Sequence, residues 1–282
     1  MRVVVITVVK DDLFGLIRTE KSIQTQSAQV NWVLVTPTDS SVTHSYVQEL
    51  IARGIVEEVI QDFGDGVYNA MNMAIQRINP NDWIWFLNAG DEFASCDSYA
   101  LISDVASKSP RRWIYGGHFL GSEQGQILGR VLTPERFSAR NQLFARKYVS
   151  HQSTVFRQDF LSELKGFRTE FKIAADWDLL VRASRADEGE RIPETISVFY
   201  MGGVSTVERQ IGNSELLKLR NEFFGDRYRI QSYYWYSYRW VRNNTVQLVE
   251  RRHPETANRI RKIRLSLRLV FFNFRKVNLR SE

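Results

Sequence analysis

Val3–Val9 is an unbroken apolar and β-branched run that ends at Lys10, Asp11 and Asp12. That pattern predicts a strand buried on both faces. Leu13, Leu16, Ile17 and Ile23 then recur at helical spacing over residues 12–25. Asn31–Thr36 reads as a second strand and Val42–Arg53 as a second helix, stopped by Gly54. Ile55–Ile60 follows as a strand, Tyr68–Ile78 as a helix ended by Asn79-Pro80, and Trp83–Leu87 as a fourth strand. Strand and helix alternating in units of roughly 30 residues predict a parallel α/β sheet.

Beyond Arg111 the alternation weakens. Trp113–Phe119, Ile127–Leu132 and Thr195–Met201 are strand candidates, as is Tyr148-Val149, while Phe160–Lys165 and Trp177–Ala186 read as helices. Past about residue 206 the chain is helical in pattern, aromatic and basic. The expected division is a body over 1–207 and an extension over 208–282.

In parallel α/β sheets ligands sit beyond the carboxyl ends of the strands. Four segments with chemistry fall there or nearby. In WIWFLNAGDEF a buried strand delivers Asn88 and Asp91 to its end. Asp91 either holds Mg2+ or Mn2+ against phosphates or closes an Asx-type turn. Asp62–Ala74 puts Asp65 and Gly66 before a helix, where an anion is favoured; a plain strand-to-helix turn fits equally. In KIAADWDLL, Asp176 and Asp178 stand at a helix start. Asp178 suits first-turn stabilisation, whereas Asp176, preceded by Ile173-Ala174-Ala175, is expected to be partly desolvated and suited to general-base work. His151-Gln152-Ser153 is the fourth segment. The other histidines, His44, His118 and His253, form no usable pattern, and no zinc or nucleophile-elbow motif is present.

Composition narrows the class. A 43% hydrophobic, 25% charged chain of 282 residues is a folded domain of ordinary balance. Its single cysteine, Cys96, excludes an internal disulfide and a Cys-rich zinc site, and a reducing, cytoplasmic setting is expected. The net charge of +6 is unevenly spread: residues 215–282 carry 16 Lys/Arg against 6 Asp/Glu, which leaves a slightly acidic body. No apolar stretch approaches the ~18 residues of a membrane span.

Taken in order, these segments resemble family 2 glycosyltransferases of the GT-A fold, in the branch found in bacterial exopolysaccharide clusters, including colanic-acid-type transferases. Ile6-Thr7-Val8 is similar to the family's first strand end, and Thr19–Gln26 to its first helix. Gly66–Asn72 resembles its Gly-Ile-Tyr-Asp-Ala-Met-Asn segment, with Asn69 in place of Asp. Phe86–Asp91 is similar to Phe-Leu-Asn-Ser-Gly-Asp, His151–Ser153 to His-Gln-Ser, Ala175–Leu179 to Ala-Asp-Trp-Asp-Leu, and Met201–Ser205 to Met-Gly-Gly-Val-Ser.

The resemblance implies a mixed α/β sheet flanked by helices, a nucleoside-diphosphate-sugar donor, and a saccharide or lipid-linked oligosaccharide acceptor. It implies that Asp91 holds a divalent metal, Mn2+ or Mg2+, and that Asp176 is the catalytic base of an inverting displacement. Thr7, Asp39, Asp65, Gly66, Asn72 and Asn88 would line the donor, and His151 the donor–acceptor junction. The acidic element is thinned here, because Asn88 and Gly90 replace acids found in many members.

The extension carries Ile260, Ile263, Leu267, Phe271 and Phe274 on one helical face and Arg261, Arg264, Arg268 and Arg275 on another. A basic amphipathic helix of this kind lies on anionic membrane or packs on the body. Two other classes compete with the transferase. One is a nucleic-acid-binding module using Tyr233–Tyr236, which the acidic body argues against. The other is a catalytically weak scaffold; within enzymes, a nucleotidyltransferase is the alternative.

Overall fold

The computed structural model describes residues 1–37, 41–145, 147–201, 209–225 and 237. Two compact units emerge, Met1–Phe119 with Val131–Tyr200, and Leu120–Arg130 with Met201–Glu282. The amphipathic pattern at 259–276, Met-Gly-Gly-Val-Ser beyond Met201, and Asp39 lie outside the described residues.

The first unit begins with the predicted alternation: β1 (Val3–Val8), α1 (Leu13–Gln24), β2 (Asn31–Pro37), α2 (Ser41–Ala52), β3 (Glu58–Asp62), α3 (Val67–Arg77) and β4 (Trp83–Phe86). β1 pairs in parallel with both β2 and β4, in register Val5↔Trp32 and Val5↔Trp85. Val4, Val5, Ile6, Trp32 and Trp85 are fully buried, as a strand sandwiched on both faces requires. Each buried tryptophan removes roughly 150–250 Å² from water, a gross gain of about 4–6 kcal/mol before ordering entropy.

Beyond β4 come β5 (Glu92–Phe93), α4 (Ser98–Lys108), β6 (Trp113–Gly121), β7 (Ile127–Val131), α5 (Ala139–Leu143), a 3-10 turn at His151–Ser153, β8 (Thr154–Arg157), α6 (Gln158–Glu163), α7 (Ala175–Ala186) and β9 (Glu190–Tyr200). Sheet order is β3-β2-β1-β4-β8-β6-β9-β5, with β7 off β6. β8 runs antiparallel to β4 and β6, so the sheet is parallel on one side and mixed on the other. In the second unit, Ser122 and Gln126 close a hairpin, and α8 spans Arg209–Phe224.

Three expectations need correction. The third strand starts at Glu58, not Ile55. Gly54 turns α2 off at φ 66°, and the Ile55 N–H returns to the Leu50 carbonyl, so residues 54–55 belong to the helix stop. Tyr148-Val149 is not a strand, because the Gln142 side-chain amide takes both the N–H and the carbonyl of Val149 (2.8 and 2.9 Å). The strand follows His151 instead. The last strand is longer than predicted, beginning at Glu190.

Asp178 is fully buried and locks α7 to the preceding loop. Its carboxylate meets Arg182 Nε at 2.7 Å and Arg168 Nη1 at 3.3 Å, while Arg182 also donates to the carbonyls of Leu164 and Gly166. Burial pushes the Asp178 carboxyl up, and the two guanidinium groups oppose that shift. The role is structural, but it is an ion pair tying α7 to a loop, not the first-turn stabilisation its position suggests.

Candidate active site

The site forms at the carboxyl edge of the sheet, where β4 ends in the turn Asn88–Asp91. Gly90 takes φ 94° there, a region that favours glycine. Its N–H donates to the Gly15 carbonyl at 3.0 Å. A Cβ on Gly15 would lie 2.2 Å from the Asp12 carboxylate that caps α1, so a side chain there would displace the cap. The start of α1 is thereby held against the turn. One turn further along α1, the buried Thr19 hydroxyl donates to the Asp91 carbonyl (2.8 Å) and accepts from Gly90 N (3.1 Å).

Asp91 is 6% exposed. Its Oδ2 accepts from Asn88 N at 3.1 Å and its Oδ1 from Gln152 Nε2 at 3.4 Å. Burial pushes this carboxyl up to about 7, against the opposing influence of the His151 charge and the two hydrogen bonds. Asn88 Oδ1 is buried and has no hydrogen-bond partner.

Asp176 opens α7. Its Oδ1 accepts from Trp177 N at 2.9 Å and from the Tyr68 hydroxyl at 3.5 Å. Its Oδ2 lies 3.3 Å from His151 Nδ1. Burial works against a charged His151, but the Asp176 hydrogen bond and the charges of Asp176 and Asp91 outweigh it, so its pKa is raised. His151 Nε2 is buried without a partner. His151 thus lies under the influence of both carboxylates, with one ring nitrogen buried and unpaired. Beside it, the Tyr148 ring stacks on Trp177 with centroids 5.7 Å apart.

The sequence candidates separate on this geometry. Asp91, Asn88, His151 and Asp176 come together. Asp65 and Gly66 lie at the same sheet edge in the β3–α3 loop, exposed, with Gly66 at φ 98° before α3. Thr7 is fully buried, and its hydroxyl bridges Trp32 Nε1 (2.9 Å) and the Leu87 carbonyl (2.6 Å), so its side chain fixes the strand end. The Asn72 side chain is likewise spent within the fold. Its amide pairs with both backbone groups of Phe167 at 2.8 Å, which clasps a loop. Sequence reasoning missed Thr19 and Gln152 as supports, and His118, whose imidazole burial and then the His151 charge push down; the adjacency of Gln152 to His151 was the one available signal.

Among the described residues no cluster of three or more His, Cys, Asp or Glu forms a metal cage. The donor set present is one carboxylate and the free Asn88 amide oxygen. Both are hard oxygen donors, which fit Mg2+ or Mn2+ when phosphates and water supply the remaining positions.

The fold is the GT-A fold of glycosyltransferases. No established family profile matches the chain. It is 28% identical over 205 residues to an uncharacterized glycosyltransferase of Mycobacterium tuberculosis, covering 72% of this chain and 76% of that one. Among solved structures it is similar to S. aureus TarS in complex with UDP, with TM-score 0.60 and 13% identity over 82% of this chain and 68% of that one. It is also similar to the Pyrobaculum calidifontis mannosyltransferase PcManGT in complex with GDP-Man and Mn2+, with TM-score 0.58 and 16% identity over 80% and 64% of the two chains.

Proposed function

We propose that this chain is an inverting glycosyltransferase that moves a sugar from a nucleoside diphosphate to an acceptor hydroxyl. The observation that carries the reading is the pairing of two unlike carboxylates across His151: Asp91, buried in a tight turn, and Asp176, at a helix start. The M. tuberculosis relative and the nucleotide-bound GT-A neighbours support it.

Asp176 is the base. It accepts the proton of the acceptor hydroxyl as that oxygen bonds to the anomeric carbon, and the bond to the diphosphate breaks with its electron pair leaving on the phosphate. The Trp177 N–H holds Asp176 Oδ1, which aims the other oxygen at His151, and the Tyr68 hydroxyl, bonded to the Ile173 carbonyl at 2.8 Å, lies beside it. His151 steadies the base through Nδ1, and its Nε2 faces the reacting groups. Asp91 and Asn88 hold a divalent ion that, when bound, offsets the charge growing on the departing diphosphate. The stacked Tyr148 and Trp177 rings offer an apolar face beside the base. The acceptor in this reading is a saccharide, possessing a lipid carrier where the basic extension contacts anionic membrane. No helix of the described residues is long and apolar enough to cross a membrane.

The test is a thermal melt with UDP, GDP and dTDP, each with and without Mn2+, on wild type and Asp91→Ala. A ligand at 100 times its Kd adds about 2.7 kcal/mol of stability. The reading expects one diphosphate to stabilise the wild type with metal and Asp91→Ala to lose that effect. No shift with any of the three refutes it.

A further inference from the structure

Gln152 is 4% exposed and lies in the single turn between β8 and the preceding coil, next to His151. Three of its polar groups are tied. Its carbonyl accepts from the Trp85 indole N–H at 2.8 Å, which anchors the turn to the central strand β4. Its Oε1 accepts from the Ser150 hydroxyl. A carboxylate oxygen only accepts, so the amide directs its NH2 end at Asp91 Oδ1, 3.4 Å away. Asp91 therefore has one oxygen held by its own turn, through Asn88 N, and the other by Gln152.

We propose that Gln152 is a positioning residue that fixes the plane of the Asp91 carboxylate, so that its free lone pairs and Asn88 Oδ1 converge on one divalent ion. The proposal rests on the glycosyltransferase reading above. Its physical basis is the thinned donor set. With a single carboxylate, a rotation of that group is not compensated by a second acid. Both carboxylate oxygens accept only one hydrogen bond each here, and an oxygen has room for about two. The Gln152 and Asn88 donors each take one position and leave one per oxygen. Outer-shell partners of this sort typically change metal affinity 10–100-fold when removed. The same turn presents His151 to Asp176. One dipeptide, anchored by Trp85, thus sets the spacing between the two carboxylates.

The experiment is a Mn2+ titration read from the EPR signal of free aqueous Mn2+, on the full chain with UDP, GDP or dTDP present. The variants are Gln152→Met, which keeps the side-chain length and removes the donor, Gln152→Glu, which places an acceptor at Asp91, and Ser150→Ala, which removes the bond that steadies the amide through Oε1. The expected result is a Mn2+ dissociation constant raised 10–100-fold in Gln152→Met, more in Gln152→Glu, and less in Ser150→Ala. Turnover lost in Gln152→Met returns as Mn2+ is raised, whereas that lost in Asp176→Asn does not. An unchanged constant in both Gln152→Met and Ser150→Ala overturns the proposal and leaves the enzyme reading standing. Should Gln152→Met fail to fold, Gln152→Glu, which also removes the donor, carries the decision: an unchanged constant there overturns the proposal. No Mn2+ binding by wild type with any of the three diphosphates overturns the reading and the proposal together.

Discussion

Thr19→Val removes one hydroxyl from beneath the Asn88–Asp91 turn and keeps the β-branched shape. Thr19 is fully buried, so water cannot replace what is lost. Its Oγ1 donates to the Asp91 carbonyl at 2.8 Å and contacts the Asn88 carbonyl at 3.3 Å. It also accepts from Gly90 N at 3.1 Å, but that N–H keeps the Gly15 carbonyl at 3.0 Å. The substitution therefore strands an acceptor and no donor. One net hydrogen bond and one poorly satisfied buried carbonyl together cost about 1–2 kcal/mol. In a domain of this size that lowers Tm by roughly 2–8 °C. Urea unfolding followed by tryptophan fluorescence measures it, with Thr19→Ser as the companion. Serine keeps the hydroxyl and loses one buried methyl, about 0.8 kcal/mol. Nucleotide-dependent stabilisation in the presence of Mn2+ should persist in Thr19→Ser and shrink in Thr19→Val, because only valine loosens the backbone that carries Asp91. A Thr19→Val protein as stable as Thr19→Ser, with the same response to nucleotide, would refute the account of the turn.

Burial holds the His118 imidazole down at about 4, below its ordinary 6.5, so only the unfolded chain takes up the proton between those values. The stability this neutral ring allows is complete above pH 6.5 and falls toward pH 4. Between pH 7.5 and 5, wild type should lose about 2 kcal/mol more than His118→Gln in urea melts, and equal losses would sink the idea. Asn72→Ala removes two hydrogen bonds to Phe167 and should cost about 1–3 kcal/mol, while limited proteolysis finds new cleavage near residues 164–168. Asp176→Asn should lower kcat by roughly 10²–10⁴-fold and leave Mn2+-dependent nucleotide binding intact; full turnover would remove Asp176 as the base.

The parallel half of the sheet is legible in the sequence because β1, β2 and β4 are covered on both faces and so read as continuous apolar runs. The rule that ligands sit at the carboxyl edge then leads from Trp83–Leu87 to Asp91 without further information. The mixed half is legible only in its longer elements: Trp113–Phe119 and Ile127–Leu132 read as the strands that become β6 and β7, whereas β5 has two residues and β8 four, too few to show a period. Thr7 and Asn72 show what a motif resemblance leaves out: their side-chain hydrogen bonds are spent within the fold, on partners far away in sequence. Gln152 and Thr19 act on a backbone or carboxylate far away in sequence, and no local spacing encodes that.

That distance bears on the order of synthesis. The Asp91 turn is fastened from one side by Thr19, made 72 residues earlier, and from the other by Gln152, made 61 residues later. A nascent chain that ends in β6 already has the first fastening and lacks the second. His151 and Asp176 are also still to be made. On the ribosome, then, the turn exists before its second fastening, and a growing chain can assemble the candidate site only as the second hundred residues near completion.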